Sequence, residues 1–166
     1  PRAIPAVTKV MSDFGLDSLA PDPPISIEAT QKEKVDYMTS LESKYEEVFE
    51  SLFSELSEVN GVERFTKTID GIDGNKIKLY IHKPEKQKSN IPGILHIHGG
   101  GMSILKAKNP NYIRWRDDLA STGLIVVGVE FRNVAGELGS HPFPAGLNDC
   151  SSCLLYTSPS PRDSCA

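Results

Sequence analysis

The sequence predicts an α/β fold built on a mostly parallel sheet, and three stretches carry that expectation. The apolar run Ile94-Leu95-His96-Ile97-His98 stops at Gly99-Gly100-Gly101, as a strand does on entering a loop. Asn109-Pro110 then has the cap-then-proline order that opens a helix, and Gly123 supplies its stop. Leu124 to Phe131 is apolar almost throughout, which suits a parallel strand covered on both faces. Strand, loop, helix and strand in that order make a βαβ unit.

The elements around this unit follow in chain order. Residues 1–26 carry Pro1, Pro5, Pro21, Pro23 and Pro24 and no sustained period, so they are expected to form an irregular arm packed over something else. From Ile27 the pattern becomes helical. Val35, Met38, Leu41, Tyr45, Val48, Leu52 and Leu56 recur at three- and four-residue spacing, with Phe49 and Phe53 widening the stripe. Thr30 and Glu33 form a capping box at its start, and Asn60-Gly61 is the expected stop. Nine acidic against three basic residues between Glu28 and Glu58 predict a solvated face rather than a binding site. Val62–Ile69 and Lys76–Lys83 are expected to form an antiparallel hairpin at a sheet edge, joined through Asp70-Gly71-Ile72-Asp73-Gly74. Pro84 to Asn90 makes a charged turn, and the next strand runs from Pro92 to His98. In the helix after Asn109, Tyr112, Trp115 and Leu119 share one stripe. A loop from Arg132 to Phe143 leads to Pro144-Ala145-Gly146-Leu147, where a last helix begins, and no internal repeat is visible.

Composition bounds the function classes. With 39% apolar residues and a net charge of −4, the chain resembles an ordinary globular domain, which disfavours a nucleic-acid partner. No apolar run is long enough for a transmembrane segment, and the stretch from Pro1 lacks the apolar core of a secretory signal. Cys153 to Asp163 reads Cys-Leu-Leu-Tyr-Thr-Ser-Pro-Ser-Pro-Arg-Asp and resembles the translation of a transposase adapter used in sequencing libraries. On that reading the genuine sequence stops near Ser152 and belongs to something longer. Outside this tail Cys150 stands alone, which fits a reducing compartment, with the cytoplasm as default. The expected organisation is a helical cap arm over 1–60, half of a catalytic domain over 61–152 and an artefact over 153–166.

The glycine run is the stretch that points to chemistry. Three adjacent residues without Cβ let bare N–H groups approach a small anion. His96 and His98 lie two apart on a strand and could be half of a zinc site, yet no Asp, Glu or Cys cluster with ligand spacing accompanies them. Neither metal nor cofactor is therefore expected. His98 is expected to brace the loop through a ring-to-backbone bond, and His96 to be a satisfied core histidine. Arg132 should order the loop that follows it by pairing with a carboxylate, Asp149 first and Glu130 second. Cys150 is expected to be a small buried helix residue rather than a reactive thiol.

Three motifs taken together carry a family resemblance: His98-Gly99-Gly100-Gly101, then Val129-Glu130-Phe131-Arg132, then His141-Pro142-Phe143-Pro144-Ala145-Gly146-Leu147-Asn148-Asp149. From about residue 62 to 150 the chain resembles the hormone-sensitive-lipase-like branch of the α/β hydrolases. The resemblance implies a truncated α/β-hydrolase fold with a helical cap arm, an antiparallel edge hairpin and the first βα units of the sheet. It implies hydrolysis of a small-molecule ester by a Ser-Asp-His triad through an acyl-enzyme. The second and third glycines of the motif, Gly100 and Gly101, would donate N–H groups to the oxyanion, supported by His98, Gly99, Arg132 and Asp149. Asn133-Val134-Ala135-Gly136 departs from the family's usual Leu-Ala-Pro-Glu. No Gly-x-Ser-x-Gly frame surrounds Ser103, Ser121, Ser140, Ser151 or Ser152, so the triad is expected downstream and the chain as it stands is expected to be inactive. Two other readings share the scaffold: a hormone receptor of the plant gibberellin type, without the catalytic histidine, and an inactive remnant.

Overall fold

The computed structural model describes residues 5–18, 22–86 and 90–157. Its elements are helix α1 (Pro5–Asp13), helix α2 (Gln31–Phe53), strands β1 (Val62–Asp70), β2 (Lys76–Pro84) and β3 (Gly93–His96), helix α3 (Pro110–Ser121), strand β4 (Ile125–Glu130) and helix α4 (Ala145–Thr157). β1 and β2 form the hairpin, with Val62 opposite Pro84 and Asp70 opposite Lys76. β2 continues antiparallel onto β4, and β4 pairs parallel with β3, giving the order β1-β2-β4-β3. The βαβ unit predicted from the apolar runs is thus β3-α3-β4, at the side of the sheet away from the hairpin.

Alternation along β4 sorts the core into two layers. Val126 turns to the α3 side, where it meets Val62 and Ala120. Val129, three residues on, turns to the other side and packs with Ile69, Ile77, Leu79, Phe131, Cys150 and Cys153 under α4. A third cluster lies outside the sheet, where Val35, Met38, Leu41 and Phe49 of α2 cover Ile104, Leu105, Ala135 and Tyr112. The capping box of α2 is complete: Thr30 accepts from the Glu33 backbone N–H, and Glu33 Oε2 accepts from the Thr30 N–H at 2.8 Å. No helix among the described residues is long and apolar enough to cross a membrane.

The structure differs from the sequence expectations at four places. The arm contains a helix, α1, whose Val7, Val10 and Met11 keep helical spacing; Pro5 is tolerated there because its missing N–H would be unpaired at a helix start anyway. α2 stops at Phe53 rather than at Asn60-Gly61, leaving Leu56 half exposed. Val59 packs instead with Val62 and Leu119, and Gly61 makes the turn into β1, its carbonyl accepting from the Glu85 N–H. β3 is shorter than Pro92–His98, because pairing with β4 ends at His96 opposite Gly128. The buried face of α3 is Arg116, Asp117 and Ala120, while Trp115 is 46% exposed. α4 itself extends through Ser152 to Thr157, with Cys153 buried in the core one turn beyond Cys150, while the rest of the expected artefact, 158–166, lies outside the described residues.

Candidate functional site

The glycine loop hangs between the end of β3 and the segment before α3, and its own backbone folds it. The Gly100 carbonyl accepts from the N–H groups of Ser103 at 3.0 Å and Ile104 at 3.3 Å. Gly100 and Gly101 have φ of +105° and +63°, which turns their peptide planes out of any strand ladder. Neither N–H donates a hydrogen bond within the described residues. A second loop supports this one: Val134 N–H bonds the Met102 carbonyl at 3.1 Å, and Ala135 N–H bonds the Ser103 carbonyl at 2.8 Å.

His98 and His96 take separate partners. His98 is buried, stacks on Phe131 at 4.1 Å between centroids, and sets Nδ1 2.7 Å from the Gly99 carbonyl, so that nitrogen carries the proton and donates. His96 lies against Trp115 and faces Arg116 Nη1 with its Nδ1 at 3.3 Å. Behind the sheet, Arg116 Nε–H donates to His82 Nε2 at 3.1 Å, while His82 Nδ1 lies 2.6 Å from Asp117 Oδ1. These contacts assign His82 a neutral ring with its proton on Nδ1.

Burial, aided by the Arg116 charge, pulls the pKa of His96 down to about 4. Burial likewise brings His98 to about 4, against the opposing bond to Gly99, and lowers His82 despite its contact with Asp117. A group whose folded pKa lies below its ordinary 6.5 contributes stability that is fully present above that value and lost as pH falls through the folded pKa. The thermal unfolding midpoint is therefore expected to be level above roughly pH 6.5 and to fall between about pH 6 and 4. A midpoint that held steady or rose across that acid window would contradict three neutral histidines.

Arg132 lies just beyond β4 and is held by Asp149. Its Nη2 donates to Asp149 Oδ1 at 2.8 Å and its Nε to Asp149 Oδ2 at 3.0 Å, while its backbone N–H reaches the same carboxylate at 2.9 Å. Asp149 is 1% exposed and also accepts from Asn75 Nδ2, so one carboxylate ties α4 to the hairpin turn and to the end of β4. Glu130, the second candidate partner, is engaged elsewhere, accepting from the Ala107 N–H at 2.6 Å and the Tyr80 hydroxyl at 3.0 Å. Burial pushes the thiols of Cys150 and Cys153 up to about 11, which leaves both as core residues.

Comparison with known proteins agrees with this fold. The BD-FAE family model matches residues 79–160, from β2 through the glycine loop and α4. Brefeldin A esterase, a bacterial homologue of human hormone sensitive lipase, superposes with a TM-score of 0.82 at 36% identity, over 92% of this chain and 43% of its own. The chain belongs to the hormone-sensitive-lipase-like α/β hydrolases. Esterase Est22 superposes with a TM-score of 0.73 at 26% identity, over 94% of this chain and 47% of its own. A bacterial heroin esterase gives 0.62 at 27% identity, over 72% and 36% respectively. No curated protein matches the sequence. The chain therefore spans less than half the length of the solved structures it matches.

Within this hormone-sensitive-lipase-like scaffold, sequence reasoning missed three polar residues. Asp73, in the hairpin turn, accepts from Arg132 Nη2 at 2.6 Å. Asn133 is fully buried and donates to the Leu105 carbonyl at 2.7 Å. Glu42 is buried beneath the loops, although it belongs to the helix whose acidic residues were expected to face water. A signal for it existed: Val35, Glu42 and Phe49 are seven apart, which places the carboxylate on the apolar seam of α2.

Proposed function

We propose that this chain is the N-terminal portion of a carboxylic ester hydrolase, with Gly100 and Gly101 as the oxyanion donors and the nucleophilic serine, aspartate and histidine supplied downstream. The observation that carries this reading is the pair of N–H groups beyond β3, without a hydrogen-bond partner among the described residues and held on a loop that the 134–135 segment supports. When a serine attacks an ester carbonyl, negative charge gathers on the carbonyl oxygen, and donors already aimed at it need no rearrangement at that moment. His98 and Gly99 set the start of the loop, and Arg132 with Asp149 fixes the segment beyond β4 against α4. Residues 1–60 act as the cap arm, with α2 lying across the loops that flank the donors. The substrate is a small-molecule ester, whose carbonyl oxygen is the group the Gly100 and Gly101 donors would meet.

The test extends the chain through its downstream coding sequence and compares the two products on p-nitrophenyl butyrate. The extended protein is expected to turn the ester over and the chain alone is not. Specific turnover by the chain alone would place the nucleophile within the chain itself and overturn this reading. An extended protein that keeps the glycine loop, lacks the histidine and binds a small molecule without hydrolysis would favour the receptor.

A further inference from the structure

Glu42 is a buried carboxylate that takes part in none of the ion pairs among the described residues. Each of its oxygens instead accepts one backbone N–H: Oε1 from Leu105 at 2.6 Å and Oε2 from Glu137 at 2.7 Å. These two amides belong to the two loops already stitched to each other beneath the glycines. Leu105 has φ of +76°, a left-handed conformation that a branched side chain rarely adopts. It is held there from both ends, its N–H on Glu42 and its carbonyl on Asn133. The preceding residue, Ile104, bonds the Gly100 carbonyl.

We propose that Glu42 is a positioning residue for the glycine loop, one carboxylate oxygen holding Leu105 in the left-handed turn that leaves the Gly100 and Gly101 N–H groups free while the other pins the neighbouring loop at Glu137. The proposal rests on the oxyanion reading above. Docking of α2 does not by itself require a carboxylate at this place. Val35, Met38, Leu41 and Phe49 already fix the helix, and an apolar residue at 42 would add to them without the desolvation that a buried charge carries. What an apolar residue cannot do is bind two convergent amides at once. Strain maintained at a loop by a residue on a separate element is a recurrent property of functional sites. The cap arm then has a second task, since withdrawing α2 would also release the oxyanion loop.

Glu42→Gln is close to isosteric but keeps one acceptor and turns an amide N–H₂ toward the other backbone donor. In the protein extended through its downstream sequence, this variant is expected to lower kcat on p-nitrophenyl butyrate by on the order of tenfold to a hundredfold, with KM within about twofold. Amide exchange, followed by mass spectrometry, should quicken in the peptide spanning 99–105 and stay unchanged in β4 and α3. The exposed Glu47→Gln serves as control and should alter neither. Unchanged exchange over 99–105 in Glu42→Gln overturns the proposal, as does faster exchange spread equally over β4 and α3, which would make Glu42 a general anchor. If the wild-type extended protein shows no turnover, the ester-hydrolase reading fails while exchange still decides the clamp.

Discussion

Gly100→Ala is expected to lower ester turnover of the extended protein by on the order of a hundred- to a thousandfold, the loss typical of removing one oxyanion donor. A Cβ at this position would lie 2.2 Å from the Ile104 carbonyl oxygen and 3.1 Å from its carbon. Both are backbone atoms. Ile104 cannot retreat, because it is 3% exposed and packed with Leu105 and Ala135, while Leu105 is held on Glu42. The alanine must therefore swing its own peptide out of a φ of +105°, and the N–H turns with it. Gly101→Ala differs in kind. Its Cβ would meet nothing within 4 Å, and φ of +63° lies in the left-handed region that alanine enters at a cost of about 1–2 kcal/mol. A much smaller loss is expected there, and steady-state kinetics on the two variants gives the comparison. Equal losses at both positions, or full activity in Gly100→Ala, would contradict the assigned loop geometry.

The parts of this fold that follow simple patterning were legible in the sequence. Ile77 and Leu79 alternate with Lys76 and Lys78, and that alternation is the hairpin's inner and outer face. Thr30 with Glu33 marks the start of α2 because those two side chains satisfy each other's backbone donors, a purely local matter. Helix ends are set by what lies beyond them. α2 ends at Phe53 because Val59 has a place in the cluster with Val62, which no local signal at Asn60-Gly61 conveys. The larger gap concerns polar residues. Periodicity assigns polar side chains to water, so Glu42, Arg116 and Asp117 read as surface, yet all three are buried. Each is buried because it binds backbone or another polar group from a distant segment, and such long-range pairing leaves no trace in spacing. The glycine run, proposed above as the oxyanion loop, stands out in the sequence because the chemistry proposed for it depends on side chains that are missing. The carboxylate proposed to position it does not, because its role depends on atoms sixty-three residues away, at Leu105.

Arg116→Ala is expected to cost about 3–5 kcal/mol of stability, the range seen when one partner of a buried charged network is removed. The guanidinium is fully buried and serves acceptors from three segments: His82 Nε2 on β2, His96 Nδ1 on β3 and the Ala107 carbonyl before α3. It also lies 5.7 Å from the centre of the Tyr80 ring. β4 passes beneath it at Gly128, where a Cβ would sit 2.8 Å from Nη1, so the strand and the arginine are fitted to each other. Alanine leaves those acceptors without a donor and opens a void over Gly128. Arg116→Lys keeps the charge but offers a point donor in place of a planar fork, and one ammonium cannot reach acceptors diverging over three elements. It should recover only part of the loss. Denaturant unfolding measures both, with the slope unchanged if the transition stays two-state. The arginine also helps hold the His96 pKa down, so its removal should shrink the acid limb of stability, which would start at the same pH and end at a higher one. A loss under about 1 kcal/mol, the worth of an exposed pair, together with an unmoved acid limb would mean that Arg116 does not organise the strands it touches.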